Sequence, residues 1–292
     1  MEYTTEAKGN VLTVRFTGVS AGWEQWILLS SDRHHDNIHC QRNLEKEHLD
    51  QALERGALIL DFGDLFCAMQ GKYDPRSNMD DIRPEDVGAD YLDRIVKHAA
   101  EDYGPYAANW LLCGKGNHET SILKRHGVDL TSNLVHRLNT DYGGRVHVGG
   151  YGGWVRFLFG DGKRVRAAKN LKYHHGAGGG GPVTRGVIQT NRQAVYLPDA
   201  DIVVNGHTHD SFWVPIARER LSTRGVVGRD ITHYIRTPSY KDEYGDGSGG
   251  WHVERWGPPK PIGAIWMVFR ANRRRTKSDY LHIDIEFIQA VT

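Results

Sequence analysis

Apolar positions in this chain come in short runs and periodic stretches. Val11 to Phe16 alternates, with Leu12, Val14 and Phe16 on one side and Val11, Thr13 and Arg15 on the other, which predicts a strand. Trp26-Ile27-Leu28-Leu29, Ala57-Leu58-Ile59-Leu60, the largely apolar Ala107 to Cys113, and Ile202-Val203-Val204 are continuous runs. Runs this short predict strands covered on both faces. Between them, Leu49, Ala52 and Leu53 share one side of a helix predicted over Asn43 to Arg55. Leu92, Ile95, Val96 and Ala99 follow the spacing of an amphipathic helix, which Tyr103-Gly104-Pro105 stops. Strand, loop, helix and strand in that order predict βαβ units.

The last third reads differently. Val226 to Arg236, Ile262 to Arg270 and Tyr280 to Ile288 are strand-like, and Leu281, Ile283, Ile285 and Phe287 alternate with His282, Asp284 and Glu286. One buried and one wet face follow from that period, so a second sheet packed on the first is expected. Two polar stretches read as long loops, Gln70 to Gly88 with two prolines, and the Gly-rich Ser239 to Pro261 with Tyr240, Tyr244, Trp251 and Trp256. Loops of that length in compact domains usually carry function or are disordered. The second loop fits either a lid over substrate or a surface for self-association, and oligomeric state is not legible.

Each strand of the first part runs into a block of metal-binding side chains. Asp32-Arg33-His34 comes first, then Gly63-Asp64, Gly116-Asn117-His118-Glu119 and Gly206-His207-Thr208-His209, with His174-His175-Gly176 before the last. In open α/β sheets, sites form beyond the carboxyl ends of strands, and all these blocks lie at such ends. Residues two apart in extended backbone, such as Asp32 and His34 or His207 and His209, point to one side. A carboxylate such as Asp64 can bridge two cations. Imidazole and oxygen ligands without thiolate suit Mn, Fe, Zn, Ni or Co. Two such ions side by side clamp the attacking and leaving oxygens of an in-line displacement, which suits phosphoryl transfer to water.

Composition narrows the classes without choosing among them. The chain has 292 residues, 39% hydrophobic and 25% charged, as ordinary soluble domains do. Because the ligand blocks span residues 32 to 209, a single domain over 1–292 is expected, with insertions near 70–88 and 239–261. Lys plus Arg number 37 against 36 Asp plus Glu, so no global field gathers long nucleic acid. Arg273-Arg274-Arg275 with Lys277 is the clearest basic run, read as a solvated turn between strands or as the edge of a nucleic-acid groove. Three cysteines, Cys40, Cys67 and Cys113, make no disulfide framework and fit a reducing compartment. With no apolar N-terminal core and no membrane-length apolar stretch, a cytoplasmic protein without a membrane partner is expected.

The ordered blocks resemble those of the calcineurin-like metallophosphoesterases, and the resemblance runs from about Trp26 to Asp210. That family carries Asp-x-His, Gly-Asp, Gly-Asn-His-Asp/Glu, a single His before Gly, and Gly-His-x-His. The resemblance implies a four-layer α/β/β/α sandwich of two mixed sheets flanked by helices. It implies one divalent metal held by Asp32, His34, Asp64 and His209, and a second held by Asp64, Asn117, His175 and His207. Manganese is the expected ion. His175 is preferred to His174 because Gly176 follows it. His118 would be no ligand but the proton donor to the leaving oxygen, or a stabiliser of the transferring phosphoryl group. Attack would come in line, from a hydroxide bridging the metals.

The chain departs from the family at one place. Many members read Gly-Asp-x-x-Asp, and their second carboxylate supports the catalytic histidine; here that position is Cys67. Protein Ser/Thr phosphatases follow it with Arg, and here Ala68 stands there. The expected activity is therefore a phosphodiesterase acting on nucleotide or nucleic-acid-like esters, with aromatic loops available to stack bases. A phosphomonoesterase is the alternative, and a metal-free scaffold on the same fold is the alternative from another class. Arg33, His35, Lys72 and Arg76 are the candidate substrate contacts, and Lys115 also lies beside a ligand block.

Overall fold

The computed structural model describes residues 2–70, 77–162, 164–179, 186–249, 252–275 and 279–291. Lys72 and Arg76 lie outside the described residues, as do parts of the two long loops. Strands β1 (Tyr3–Lys8), β2 (Val11–Phe16) and β3 (Glu24–Ser30) lead into helix α1 (Arg42–Glu54) and strand β4 (Leu58–Asp61). Helix α2 (Tyr91–Tyr103), strand β5 (Trp110–Cys113), helices α3 (Asn117–His126) and α4 (Leu130–Thr140) and strand β6 (His147–Val148) follow. Then come β7 (Gly152–Gly160), β8 (Val165–His174), α5 (Val187–Tyr196), β9 (Ile202–Asn205), β10 (Phe212–Leu221), β11 (Val227–Arg236), β12 (Gly263–Arg275) and β13 (Asp279–Val291).

The strands make two mixed sheets, one of seven strands in the order β1-β2-β7-β8-β9-β11-β10 and one of six in the order β13-β12-β3-β4-β5-β6. The sheets face each other across a core that takes Val14 and Phe16 from β2, Leu58 and Leu60 from β4, Phe157 and Phe159 from β7, and Met267 and Phe269 from β12. Helices α1 to α4 cover the outer face of the six-stranded sheet, where Ile59 and Trp266 meet Leu49, Ile95, Val96, Ile122 and Leu134. Residues just after α5 (Leu197 and Ala200) meet Val203 and Tyr234 on the other outer face. The result is the helix, sheet, sheet, helix layering that the resemblance implies. β4 shows why its sequence is a continuous apolar run: Ile59 serves the helical layer while Leu58 and Leu60 serve the central one.

The last third does not form a sheet of its own. β12 pairs antiparallel with β3 and extends the six-stranded sheet, while β11 pairs parallel with β9 and extends the seven-stranded one. The cause is burial: the central runs of β3 and β9 need neighbours on both sides, and β12 and β11 supply them. β12 starts next to Ser239, where Gly263 N–H bonds the Ser239 carbonyl at 2.9 Å. It then passes Leu29 at Ile265 and Glu24 at Arg270, moving away from the carboxyl end of β3. Arg273 therefore lies at the end of the sandwich opposite the ligand blocks. The side chains of residues 274 and 275, and all of 276–278, lie outside the described residues. As the edge of a groove at the ligand blocks, the basic run is misplaced. Among the described residues no helix is long and apolar enough to cross a membrane.

Candidate metal centre

Ligand blocks follow the carboxyl ends of β3, β4, β5, β8 and β9, and the two sheets deliver them to one place. Backbone contacts lock the loops together: Asp32 N–H bonds the Gly63 carbonyl at 2.8 Å, His34 N–H that of Asp64 at 3.1 Å, and Gly206 N–H that of His175 at 2.8 Å. The approach is close enough that glycine is required. A Cβ at Gly206 would overlap Ser31 and the Asp32 carboxylate, and one at Gly116 would overlap the Asp64 carboxylate. Asp32, His34, Asp64, His207 and His209 all have φ between 49° and 76°, in the left-handed region. Among the described residues only Ala68 and Trp256 join them there as non-glycines. Such backbone persists where the surroundings over-determine it, commonly at functional sites.

Two buried groups result. Asp32, His34 and His209 form one, and Asp64, His175 and His207 the other, each with ligand atoms within 4.8 Å of one another. In the first, His34 Nε2 faces His209 Nε2 at 3.3 Å, and His209 Nε2 lies 3.5 Å from Asp32 Oδ1. In the second, His175 Nε2 lies 3.1 Å from Asp64 Oδ2 and 3.2 Å from Asn117 Oδ1. Asp32 Oδ1, 3.9 Å from His175, adjoins both. His174 stays outside, accepting the Gly176 N–H at 3.0 Å through Nδ1.

These residues fit divalent cations. Asp32 Oδ1 is buried without a hydrogen-bond partner, although it faces two imidazoles. Two Nε2 atoms 3.3 Å apart form a hydrogen bond when one ring is the Nε2–H tautomer, and with both lone pairs free they are equally placed to hold one ion. Burial alone would lower His175, yet Asp64 and Asp32 outweigh it and push it up to about 9. His209 is likewise lifted, against burial, to about 10 by Asp32 and Glu243. These carboxylates thus draw positive charge to His175 and His209, while burial and the neighbouring imidazoles push His34 and His207 down; metal ions supply that charge without protonating the imidazoles.

Surrounding groups fix the ligand orientations. His175 Nδ1–H donates to the Phe62 carbonyl at 3.1 Å, and His207 N–H to Asp32 Oδ2 at 2.8 Å. Glu243 sits 3.5 Å from His209 Nδ1, and Lys241 pairs with Glu243 at 3.0 Å. Glu119 accepts backbone N–H bonds from Asp64, Phe66 and Gly116 at 3.1, 2.9 and 2.8 Å, tying the second and third blocks together. Sequence reading assigned no role to Glu243 or Lys241, because both come from the long loop after β11, far from any recognised block.

His118 lies beside the two groups and, with His34 and Cys67, forms a third whose ligand atoms are within 4.8 Å of one another. Its Nδ1 lies 2.6 Å from the Cys67 carbonyl oxygen, which only accepts, so Nδ1 carries the hydrogen. Nε2 then faces the centre, 3.6 Å from Asp64 Oδ2, with the ring edge-on to His34 at 4.9 Å. Position 67 still supports His118, through its backbone instead of a carboxylate. The Cys67 thiol accepts a hydrogen bond from Asn37 Nδ2 at 3.4 Å and lies within 4.8 Å of ligand atoms of His34 and His118.

A cleft of about 820 Å³ opens over the cluster, lined by His34, Asp64, Asn117, His118, His207 and His209, with Lys241, Glu243, His252 and Lys260 from the long loop. Arg33 and His35 do not reach it, which corrects their assignment as substrate contacts. Arg33 is fully buried below the site, bonded to Glu45 and Asp61 at 2.7 Å each and to Ser30 at 2.8 Å. It is also enclosed by the rings of Trp110, Tyr240 and Tyr103. His35 lies between Glu45 at 3.1 Å and Asp102 at 3.0 Å. Lys115 pairs with Asp129 away from the cleft.

No family model matches the chain, and no curated protein does. Among solved structures, a conserved uncharacterised protein from Streptococcus pneumoniae TIGR4, described as a predicted phosphoesterase, is similar at 11% identity and a TM-score of 0.33, over 92% of this chain and 100% of that one. So distant a likeness carries no argument about this chain.

Proposed function

We propose that this protein is a binuclear metal-dependent phosphoesterase that prefers diesters of nucleotide or nucleic-acid type. The observation that carries the reading is the pair of adjoining ligand groups, Asp32, His34 and His209 beside Asp64, His175 and His207, with Asp32 Oδ1 near both and His118 Nε2 3.6 Å from Asp64. Asp32, His34, Asp64 and His209 would hold one ion, and Asp64, Asn117, His175 and His207 the other. Divalent ions so held supply a water nucleophile at neutral pH and charge stabilisation for an in-line displacement, with manganese the expected ion.

The chain's own residues provide the rest. His118, fixed through Nδ1–H, presents Nε2 to the cleft and, as the imidazolium with a hydrogen on both nitrogens, gives the leaving oxygen its Nε2 proton and is left as the neutral Nδ1–H ring. Backbone hydrogen bonds tie the Gly206 and Gly63 loops to His175 and Asp32 and hold the candidate ligands in place. Preference for a diester has a second support in the lining charges. Lys241 pairs with Glu243 and Lys260 with Asp210, so the described lysines over the cleft are already matched. Among the described residues a dianionic monoester finds little further cation there, whereas a monoanionic diester needs less.

A substrate panel with added manganese tests both levels, comparing an aryl monoester, an aryl diester, cyclic nucleotides, and single- and double-stranded DNA. Diester turnover faster than monoester turnover is expected. The reverse order would make the protein a phosphomonoesterase. Metal-free protein that hydrolyses nothing even after loading would favour a scaffold. His118→Ala should keep its metals and lose about 100-fold or more on poor leaving groups.

A further inference from the structure

The carbonyl that fixes His118 belongs to a peptide that is itself held from its other side. Asp36 is buried two residues after His34. Its Oδ2 accepts the Ala68 N–H at 2.8 Å, and its Oδ1 accepts the Cys67 N–H at 2.5 Å. Tyr91 Oη–H donates to Oδ2 at 2.5 Å while accepting the Met69 N–H at 3.0 Å. Three successive N–H groups, at 67, 68 and 69, therefore end on one carboxylate, directly or through one phenol.

The Ala68 N–H and the Cys67 carbonyl are the two poles of one planar peptide, and in a trans peptide they point in opposite directions. Asp36 holds the N–H pole, and His118 Nδ1–H holds the carbonyl pole at 2.6 Å. Ala68 keeps a φ of 49°, which an alanine adopts only where its neighbours impose it. Rotation of this peptide would remove the acceptor from His118, and the Asp36 bonds oppose that rotation. Hydrogen bonds in such a chain also polarise one another, making the carbonyl a better acceptor.

We propose that Asp36 is the positioning residue of His118, acting through the Cys67–Ala68 peptide in place of the carboxylate missing at position 67. The role given to His118 rests on the phosphoesterase reading; the link between the two residues does not.

The test uses the full chain loaded with zinc, as wild type, Asp36→Asn and Tyr91→Phe. The carboxamide of Asp36→Asn retains one acceptor oxygen and turns an NH₂ group toward the backbone N–H groups. Three measurements are made: metal content, the His118 imidazole ¹⁵N signals, which report the protonated nitrogen, and kcat on aryl diesters of graded leaving group. In Asp36→Asn, unchanged metal content, a smaller Nδ1–H population and a kcat loss of about 100-fold on the poorest leaving group are expected, with less than about tenfold on the best. Tyr91→Phe, which removes only the phenol, should shift both readouts the same way by less, and stands in if Asp36→Asn does not fold. An unchanged His118 tautomer in both variants overturns the proposal, as do equal losses on all leaving groups. If wild type cleaves no ester, the phosphoesterase reading fails, and the ¹⁵N signals still decide whether Asp36 controls His118.

Discussion

Arg33, between the candidate ligands Asp32 and His34, meets Glu45 at 2.7 Å, and both are sealed from water. Asp61 completes the pairing of the guanidinium at 2.7 Å, and Tyr103 bonds the same Glu45 oxygen at 2.7 Å. Removing one partner of a buried ion pair leaves the other charged and uncompensated, at a cost of about 3–5 kcal/mol. Glu45→Gln should therefore destabilise the fold by about that amount in urea unfolding. A loss under about 1 kcal/mol would mean that Asp61 and the rings around Arg33 suffice without it.

Acid should act through the same residue. Burial would raise Glu45, but His35 and Arg33 outweigh burial and bring it from 4.5 down to about 2. A carboxylate whose folded pKa is depressed contributes stability that is complete above its unfolded pKa and lost as pH falls through the folded one. The window is thus pH 4.5 down to about 2, and the contribution is about 3 kcal/mol. Unfolding free energies of wild type and Glu45→Gln should converge across this window as pH falls. Parallel curves would assign the acid sensitivity to other groups.

These residues also show where sequence reading stops. The ligand blocks were legible because each is a local pattern at the end of an apolar run, as with Asp64 after β4 and His207 after β9. Arg33 looked like a substrate contact because residue type and proximity to a block are local too, whereas burial depends on Glu45, Trp110 and Tyr240, which are distant in sequence. β8 is not legible in the sequence because Lys169, Asn170 and Lys172 interrupt its apolar pattern; much of it is half-exposed. Asp36 and Glu243 carry no local signal for the same reason: each acts by a contact with a segment far along the chain, on Cys67 and on His209.

The meeting of the two sheets at Gly206 can be probed by crowding it. A Cβ there would overlap Ser31 and Asp32, and neither can retreat from a closely packed loop. Gly206→Ala should cost about 1–3 kcal/mol and weaken metal retention, because Asp32 is displaced. Gly228→Ala, on β11 with nothing within 4 Å of the new carbon, is the matched control and should change little. Equal behaviour of the two variants would remove close loop packing from the account of the site.

If Asp64 bridges the two ligand groups, as proposed, metal content should respond asymmetrically to substitution. His34 serves the first group alone, and His175 approaches Asp64 and Asn117 in the second. His34→Ala should lose one ion under mild dialysis and retain the other. Asp64→Ala should lose both. Each ion that binds only the folded chain adds about 2.7 kcal/mol at a hundredfold excess over its Kd, so the melting temperatures should fall in the same order. Elemental analysis that finds one ion left in Asp64→Ala would show that the groups are independent.

Trp256 gives the test of substrate class. It is 94% exposed and has a φ of 57°, so strained backbone holds a large ring in water beside Gly257 and His252, which line the cleft. Exposing an indole forgoes the burial that usually places it inside, and a ring at a cleft rim is available to stack on a flat ligand. Stacking on a nucleobase contributes about 1–3 kcal/mol by alanine substitution. Trp256→Ala should then raise KM for a nucleotide diester by about five- to 150-fold and leave kcat on a small aryl diester unchanged, because neither Trp256 nor its neighbours His252 and Gly257 belong to the ligand groups. The fold should tolerate the change, since a side chain this exposed packs against little. Equal KM values for the nucleotide diester in both proteins would remove base stacking as a determinant and leave the cleft selective for the phosphodiester alone. A fall in kcat on the aryl diester would instead mean that the loop carrying Trp256 holds Glu243 against His209, and that its contribution is to the metal site.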